Sequence, residues 1–151
     1  MVCIEDEVEI SAALEMVWEA FTDLTCWADW NSVLTNVQPH SGSCIDADGH
    51  FTCCVTPFGV PVFFETRIVE ISPMERIVWT GSKYMIHGRH EFLFTETDGK
   101  VRLFSREVLR GLPVAFGGIF FPLRRFRTLT RVFLEGLKKH AEEQGHLTRR
   151  S

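Results

Sequence analysis

The sequence contains no Gly-x-Ser-x-Gly, no His-Glu-x-x-His and no glycine loop of the phosphate-cradling kind. The readily recognised serine hydrolases, zinc proteases and nucleotide enzymes are thereby removed. Its five cysteines, Cys3, Cys26, Cys44, Cys53 and Cys54, form an odd set without a Cys-x-x-Cys pair. Neither a zinc site nor a disulfide framework is indicated, and reduced thiols in the cytosol are the simpler expectation. No apolar run approaches the ~20 residues that span a bilayer, and no basic stretch followed by a long apolar one opens the chain. No signal peptide is read, and the expected location is cytoplasmic. Tyrosine occurs once, against 13 Phe and four Trp. Rings without a polar handle either fill a core or line an apolar cavity. The formal charge of −4 argues against a role in binding nucleic acid, although residues 124–131 form a basic run.

What is present is organised around the C-terminal part. In residues 123–144, LRRFRTLTRVFLEGLKKHAEEQ, Phe126, Leu129, Phe133 and Leu137 recur at three- and four-residue steps, and Ala141 continues the stripe. This is the pattern of one long amphipathic helix over 122–144, roughly 30 Å at about 1.5 Å per residue. Its partner must be equally long, and the stretch between Leu34 and Gly111 is the only candidate. There the period changes to two, with strands expected at 34–38, 50–56, 62–71, 76–82, 87–96 and 100–109. Asp98-Gly99 is the strongest of the hairpin signals between them. Residues 3–10 alternate as an opening strand, with Asp6 as a polar exception on its inner face. Ser11 is the expected cap of a helix carrying Leu14, Val17, Trp18 and Phe21, and Thr25 that of a short second helix holding Trp27 and Trp30.

The fold class is therefore α+β: a seven-stranded curved antiparallel sheet wrapped around a long C-terminal helix, with two short helices after the first strand. Residues 1–145 are read as one domain and 146–151 as a disordered tail. A helix and a curved sheet separate toward one end, which is where a cavity belongs.

Residues 10–23, ISAALEMVWEAFTD, followed by Trp27-Ala-Asp-Trp-Asn31, resemble the opening of the SRPBCC superfamily. That superfamily holds START domains, plant pathogenesis-related allergens and polyketide cyclase/dehydrase proteins. His90-Glu-Phe-Leu-Phe94, Asp98-Gly99 and Arg102-Leu-Phe-Ser-Arg-Glu107 resemble its late hairpin, and Phe133-Leu-Glu-Gly-Leu-Lys138 its closing helix. The resemblance covers nearly the whole chain. It implies a helix-grip domain whose deep apolar cavity takes lipids, polyketides, hormones or aromatic metabolites, and it makes cavity lining the fuller account of the surplus Phe. Many chemistries share this scaffold, so the site must be argued from residues.

Strand parity selects those residues. His90 shares a face with Phe92 and Phe94, and Glu107 shares one with Leu103, Ser105 and Leu109. Both are read as inward and as the catalytic pair, His90 relaying a proton while Glu107 fixes its tautomer. A structural hydrogen bond between the two is the competing account. The ligand-binding candidates are Trp30, Glu65, Arg67, Trp79, Tyr84, His87, Phe92, Phe116 and Phe120. Glu65 and Arg67 share a strand face, either as an exposed pair or, if concave, as a ligand anchor. His87 is harder to place because Gly88 is a candidate bulge. Residues 111–122, GLPVAFGGIFFP, have three readings: a helix start folded into the core, a portal lid, or a weak membrane contact spanning 116–131 with the arginines.

The leading expectation is cyclisation or dehydration of a hydrophobic small molecule without cofactor or metal, in a monomer or homodimer. A non-catalytic carrier or sensor of lipids or hydrophobic metabolites is the alternative, and whether the chain is an enzyme stays open at this stage.

Overall fold

The computed structural model describes residues 1–150 and, at Ile119, the backbone alone. Its elements follow the expected order: β1 (Val2–Ile10), α1 (Leu14–Thr22), a 3-10 turn (Leu24–Cys26), α2 (Trp27–Trp30), β2 (Thr35–Pro39), β3 (His50–Val55), β4 (Val62–Ser72), β5 (Arg76–Lys83), β6 (Ile86–Thr97), β7 (Lys100–Gly111), α3 (Leu112–Gly117), a second 3-10 turn (Gly118–Phe120) and α4 (Leu123–Arg150). The strands form one antiparallel sheet in the order β1-β7-β6-β5-β4-β3-β2. The first strand thus closes the meander by pairing with the last, and β2 forms the opposite edge. Asp98 and Gly99 both take positive φ, 54° and 75°, and turn β6 into β7 as the sequence signal requires.

The expected stripe is the gripping face of α4: Phe133, Leu137 and Ala141 are buried, and Phe126 and Leu129 half-buried. Over 28 residues the helix is about 42 Å long. It continues through 146–150, residues read from sequence as a disordered tail, while Ser151 lies outside the described residues. No proline stops it, Gly145 leaves only van der Waals space beside Met16 and Ala12, and Thr148 Oγ1 donates to the Gln144 carbonyl at 3.0 Å.

Two caps differ from expectation. Ser11 does not cap α1, because the helix begins at Leu14 with Ala13 in the cap position and no side-chain cap; the Ser11 N–H donates separately to Glu142 Oε1 on α4 at 2.9 Å. Asp23 rather than Thr25 starts the next turn: its Oδ1 accepts from the Thr25 N–H at 2.9 Å and from the Thr25 hydroxyl at 2.6 Å. The exceptional Asp6 also finds its explanation, since Arg131 of α4 donates to its carboxylate at 3.1 Å.

One end of the clasp is filled by rings. Phe21 lies 4.8 Å from Phe92, 5.7 Å from Trp79 and 5.9 Å from Phe133, centroid to centroid. Trp27 bridges Trp30, Phe51 and Phe133. Helix α4 can approach α2 this closely because Gly136 faces the Trp30 carbonyl, where a Cβ would stand 2.5 Å from the oxygen.

Candidate functional site

At the other end the helix and sheet part, leaving a cavity of about 530 Å³. Its walls are apolar: Phe64 and Phe92 from the sheet, Phe126, Leu129 and Phe133 from α4, and Phe121 from the segment before α4. The floor follows from register. Gly81 of β5 pairs with Gly88 of β6, which pairs with Leu109 of β7. Two glycines side by side on the concave face leave a trough that any side chain would fill. Gly88 marks no bulge, because pairing runs unbroken from Ile86 to Thr97.

The next inward row reads Trp79, His90, Glu107 and Ile4 across four strands. His90 and Glu107 are therefore direct cross-strand neighbours on the concave face, as parity requires, and both line the cavity. They do not bond to each other. His90 Nε2 lies 2.6 Å from Ser105 Oγ, and its ring stacks on Phe92 with centroids 4.1 Å apart. Ser105, completely buried, thus holds the imidazole that Glu107 was expected to hold. Burial lowers the His90 pKa to about 3, so the ring is neutral at pH 7.

Glu107 makes no hydrogen bond or ion pair among the described residues. Its Oε1 lies over the trough, 3.7 Å from where a Gly88 Cβ would stand. Desolvation with no compensating partner raises its pKa to about 7, so acid and carboxylate are both populated at neutral pH. The opposite face of the same strands behaves differently. There Glu91 and Glu70 are bonded by Arg76. One side of the sheet neutralises its carboxylates, and the other leaves one unpartnered in an apolar hollow.

The remaining candidates divide. Trp79, Tyr84, Phe92 and Phe120 line the cavity, Tyr84 and Phe120 at its exposed mouth. Trp30 is instead core, its indole N–H donating to the Ala20 carbonyl at 3.2 Å. Glu65 and Arg67 bond to each other at 2.8 Å on the outer face, because Thr66 between them is the buried, inward residue. His87 also faces outward, its Nδ1 2.7 Å from Ser82 Oγ. Phe116 is 83% exposed and does not line the cavity. Residues 112–120 form α3 and a 3-10 turn beside the cavity, with Val114 buried and Phe116 and Phe120 outside. Arg125 crosses the mouth to donate to the Pro57 carbonyl at 2.7 Å. The trough of Gly81 and Gly88 was not singled out from sequence, where paired small residues on adjacent strands carry no local signal.

A curved antiparallel sheet clasping a long helix over an apolar hollow defines a helix-grip ligand-binding domain. The chain belongs to the polyketide cyclase/dehydrase and lipid transport family, whose model matches residues 1–142. Among solved structures, it is similar to the protein TTHA0849 from Thermus thermophilus, at TM-score 0.79 and 14% identity over 93% of this chain and 97% of that one. It is similar to the Zhui aromatase/cyclase from Streptomyces sp. R1128, at TM-score 0.73 and 17% identity over 95% and 94%. The di-domain aromatase/cyclase StfQ of the steffimycin biosynthetic pathway aligns at TM-score 0.76 and 18% identity over 95% of this chain and 52% of that one. At these identities the likeness establishes the fold. No curated protein matches the chain.

Proposed function

We propose that the chain binds an aromatic or polyketide-like small molecule in its cavity and catalyses a cofactor-independent cyclisation or dehydration in secondary metabolism. The observation that carries the reading is Glu107, an unpartnered carboxyl with a pKa near 7 in an apolar hollow. In an aldol-type closure its carboxylate takes a proton from a methylene flanked by carbonyls. The resulting enolate carbon bonds to a second carbonyl carbon, and the carboxylic acid returns the proton to the new alkoxide. In the dehydration that follows, the carboxylate removes a second proton from the same carbon, and the C=C bond forms as the C–O bond breaks. The Glu107 acid passes that proton to the departing hydroxide, which leaves as water while the carboxylate is restored. His90, neutral and held by Ser105, is too weak a base to lead either step. Its role is to hydrogen-bond and orient a substrate carbonyl.

A soluble poly-β-ketone thioester, followed by the absorbance of its aromatic product, tests the assignment. Glu107→Gln is expected to slow turnover at least about a hundredfold with binding retained. His90→Ala is expected to weaken both. Full turnover by Glu107→Gln would overturn the roles given.

The exposed rim favours a second reading, a carrier that exchanges its ligand at a lipid surface. Phe58 and Phe120 stand out at the mouth with Phe116 nearby, and the Arg124 and Arg127 side chains make no hydrogen bond or ion pair among the described residues. On that reading ligand is recovered unchanged, and sedimentation with anionic liposomes is lost in Arg124→Ala/Arg127→Ala.

A further inference from the structure

We infer a divalent transition-metal site on the outer face of the sheet, built from His40, His50 and Glu65. It is independent of the cavity chemistry, and cysteine spacing could not have pointed to it. Register creates it. On β3, His50 and Thr52 face outward while Phe51 and Cys53 are buried, and on β4, Glu65 and Arg67 face outward around the buried Thr66. The pairs Thr52 with Glu65 and His50 with Arg67 set His50 diagonal to Glu65. Beyond the end of β2, the His40 N–H donates to the His50 carbonyl at 3.1 Å, which brings the third side chain alongside.

The result is two imidazoles with ring centroids 4.4 Å apart and a carboxylate beside them, one donor atom from each residue lying within 4.8 Å of the others. Donors on a tetrahedral Zn²⁺ stand about 3.3 Å apart for bonds of about 2.0–2.1 Å, so small side-chain rotations close the set. Two imidazoles and one carboxylate suit Zn²⁺, Cu²⁺ or Ni²⁺. Magnesium and calcium ask for oxygen alone. Three protein donors leave a fourth position to solvent. His40 Nε2 lies 2.8 Å from Thr52 Oγ1, the kind of outer contact that fixes a ligating imidazole when its other nitrogen takes the metal.

Arg67 is the resident competitor. Its guanidinium holds Glu65 at 2.8 Å, and a bound cation must replace it there. The site lies behind the cavity wall, since Thr66, between Glu65 and Arg67, lines the hollow. Occupancy would fasten the segment after the edge strand β2 onto β3 and β4. It would add no group to the cavity.

The test is a titration of the full chain with Zn²⁺ by calorimetry and with Co²⁺ by visible absorption. One ion per chain is expected, with a nitrogen–oxygen Co²⁺ spectrum and a melting temperature that rises with Zn²⁺. His40→Ala and His50→Ala should each weaken binding at least tenfold, Glu65→Gln less, and Arg67→Ala should tighten it by releasing the carboxylate. All four positions are at least partly exposed, so folding should survive each change. Absence of saturable uptake, uptake that survives loss of both imidazoles, or a thiolate charge-transfer band from Cys3 or Cys44 would overturn the site. An Arg67→Ala chain that binds no more tightly would overturn Glu65 as the third ligand.

Discussion

The two ends of the clasp use the same kind of side chain to opposite effect. At the closed end Phe21, Phe51 and Phe133 pack edge-to-face on Trp27, and of these four rings Phe133 alone also borders the cavity. At the open end Phe64, Phe121 and Phe126 face about 530 Å³ of hollow. What separates them is backbone spacing. Helices α1 and α2 bring rings into the closed end, and Gly136 lets α4 approach α2. The open end has a glycine trough below and loops above. The count of phenylalanines could not choose between a filled core and a cavity because the chain builds both.

The sharpest way to break the contrast is to empty the closed end. Phe21 is fully buried and touches five aromatic neighbours. Phe21→Ala should therefore destabilise the fold by about 3–5 kcal/mol in denaturant titrations, through lost transfer energy and the hole left behind. A loss under about 1 kcal/mol would mean that this end is no better packed than the other.

A second, smaller effect reads the open end through its protons. His90, neutral when folded, should ionise near 6.5 in the unfolded chain and near 3 in the folded one. Its contribution is fully present above pH 6.5 and is lost as pH falls toward 3. Glu107 is the reverse: its folded pKa is near 7 against an ordinary 4.5, so its contribution is present below 4.5 and is lost as pH rises to 7. Between 4.5 and 6.5 the two slopes oppose and nearly cancel. Glu107→Gln should unmask the histidine, so that stability climbs by roughly 2–3 kcal/mol at most from pH 4.5 to 6.5 while wild type stays flat, measured by urea midpoints. Parallel profiles for the two proteins would show that Glu107 is not desolvated, and the proton-transfer role would fall with it.

How much of this was legible depends on whether a residue's position follows from its own strand or from pairing. The parity of His90 and Glu107 needs only the alternation around Phe92 and Leu103, so both could be directed inward from sequence. Their actual partners could not: Ser105, not Glu107, reaches the imidazole. Glu65 and Arg67 were ambiguous because Phe63 and Phe64 are apolar on both parities, and the buried Thr66 decides for the outer face. Trp30 looked like a lining residue because a one-turn helix does not reveal which side its neighbours will cover. The fold was readable early because the long stripe of α4 and the turn residues between strands agree with each other. The glycine trough and the His40, His50 and Glu65 cluster exist only once register is set.

The trough supplies the finest test of the comparison. At Gly88 the backbone is ordinary strand, and an added Cβ would meet Leu109 Cδ2 at 3.4 Å, a normal contact. A β-branched residue suits that backbone, and its methyl groups would project into the hollow beside Glu107. Gly88→Val should therefore leave the melting temperature unchanged or raised. It should weaken binding of a hydrophobic dye such as anilinonaphthalene sulfonate at least tenfold, about 1.4 kcal/mol. At the closed end removing atoms harms stability, whereas at the open end adding them harms only occupancy. If Gly88→Val lowers the melting temperature and leaves the folded chain's dye affinity unchanged, the glycine pair serves packing and the two ends do not differ in kind.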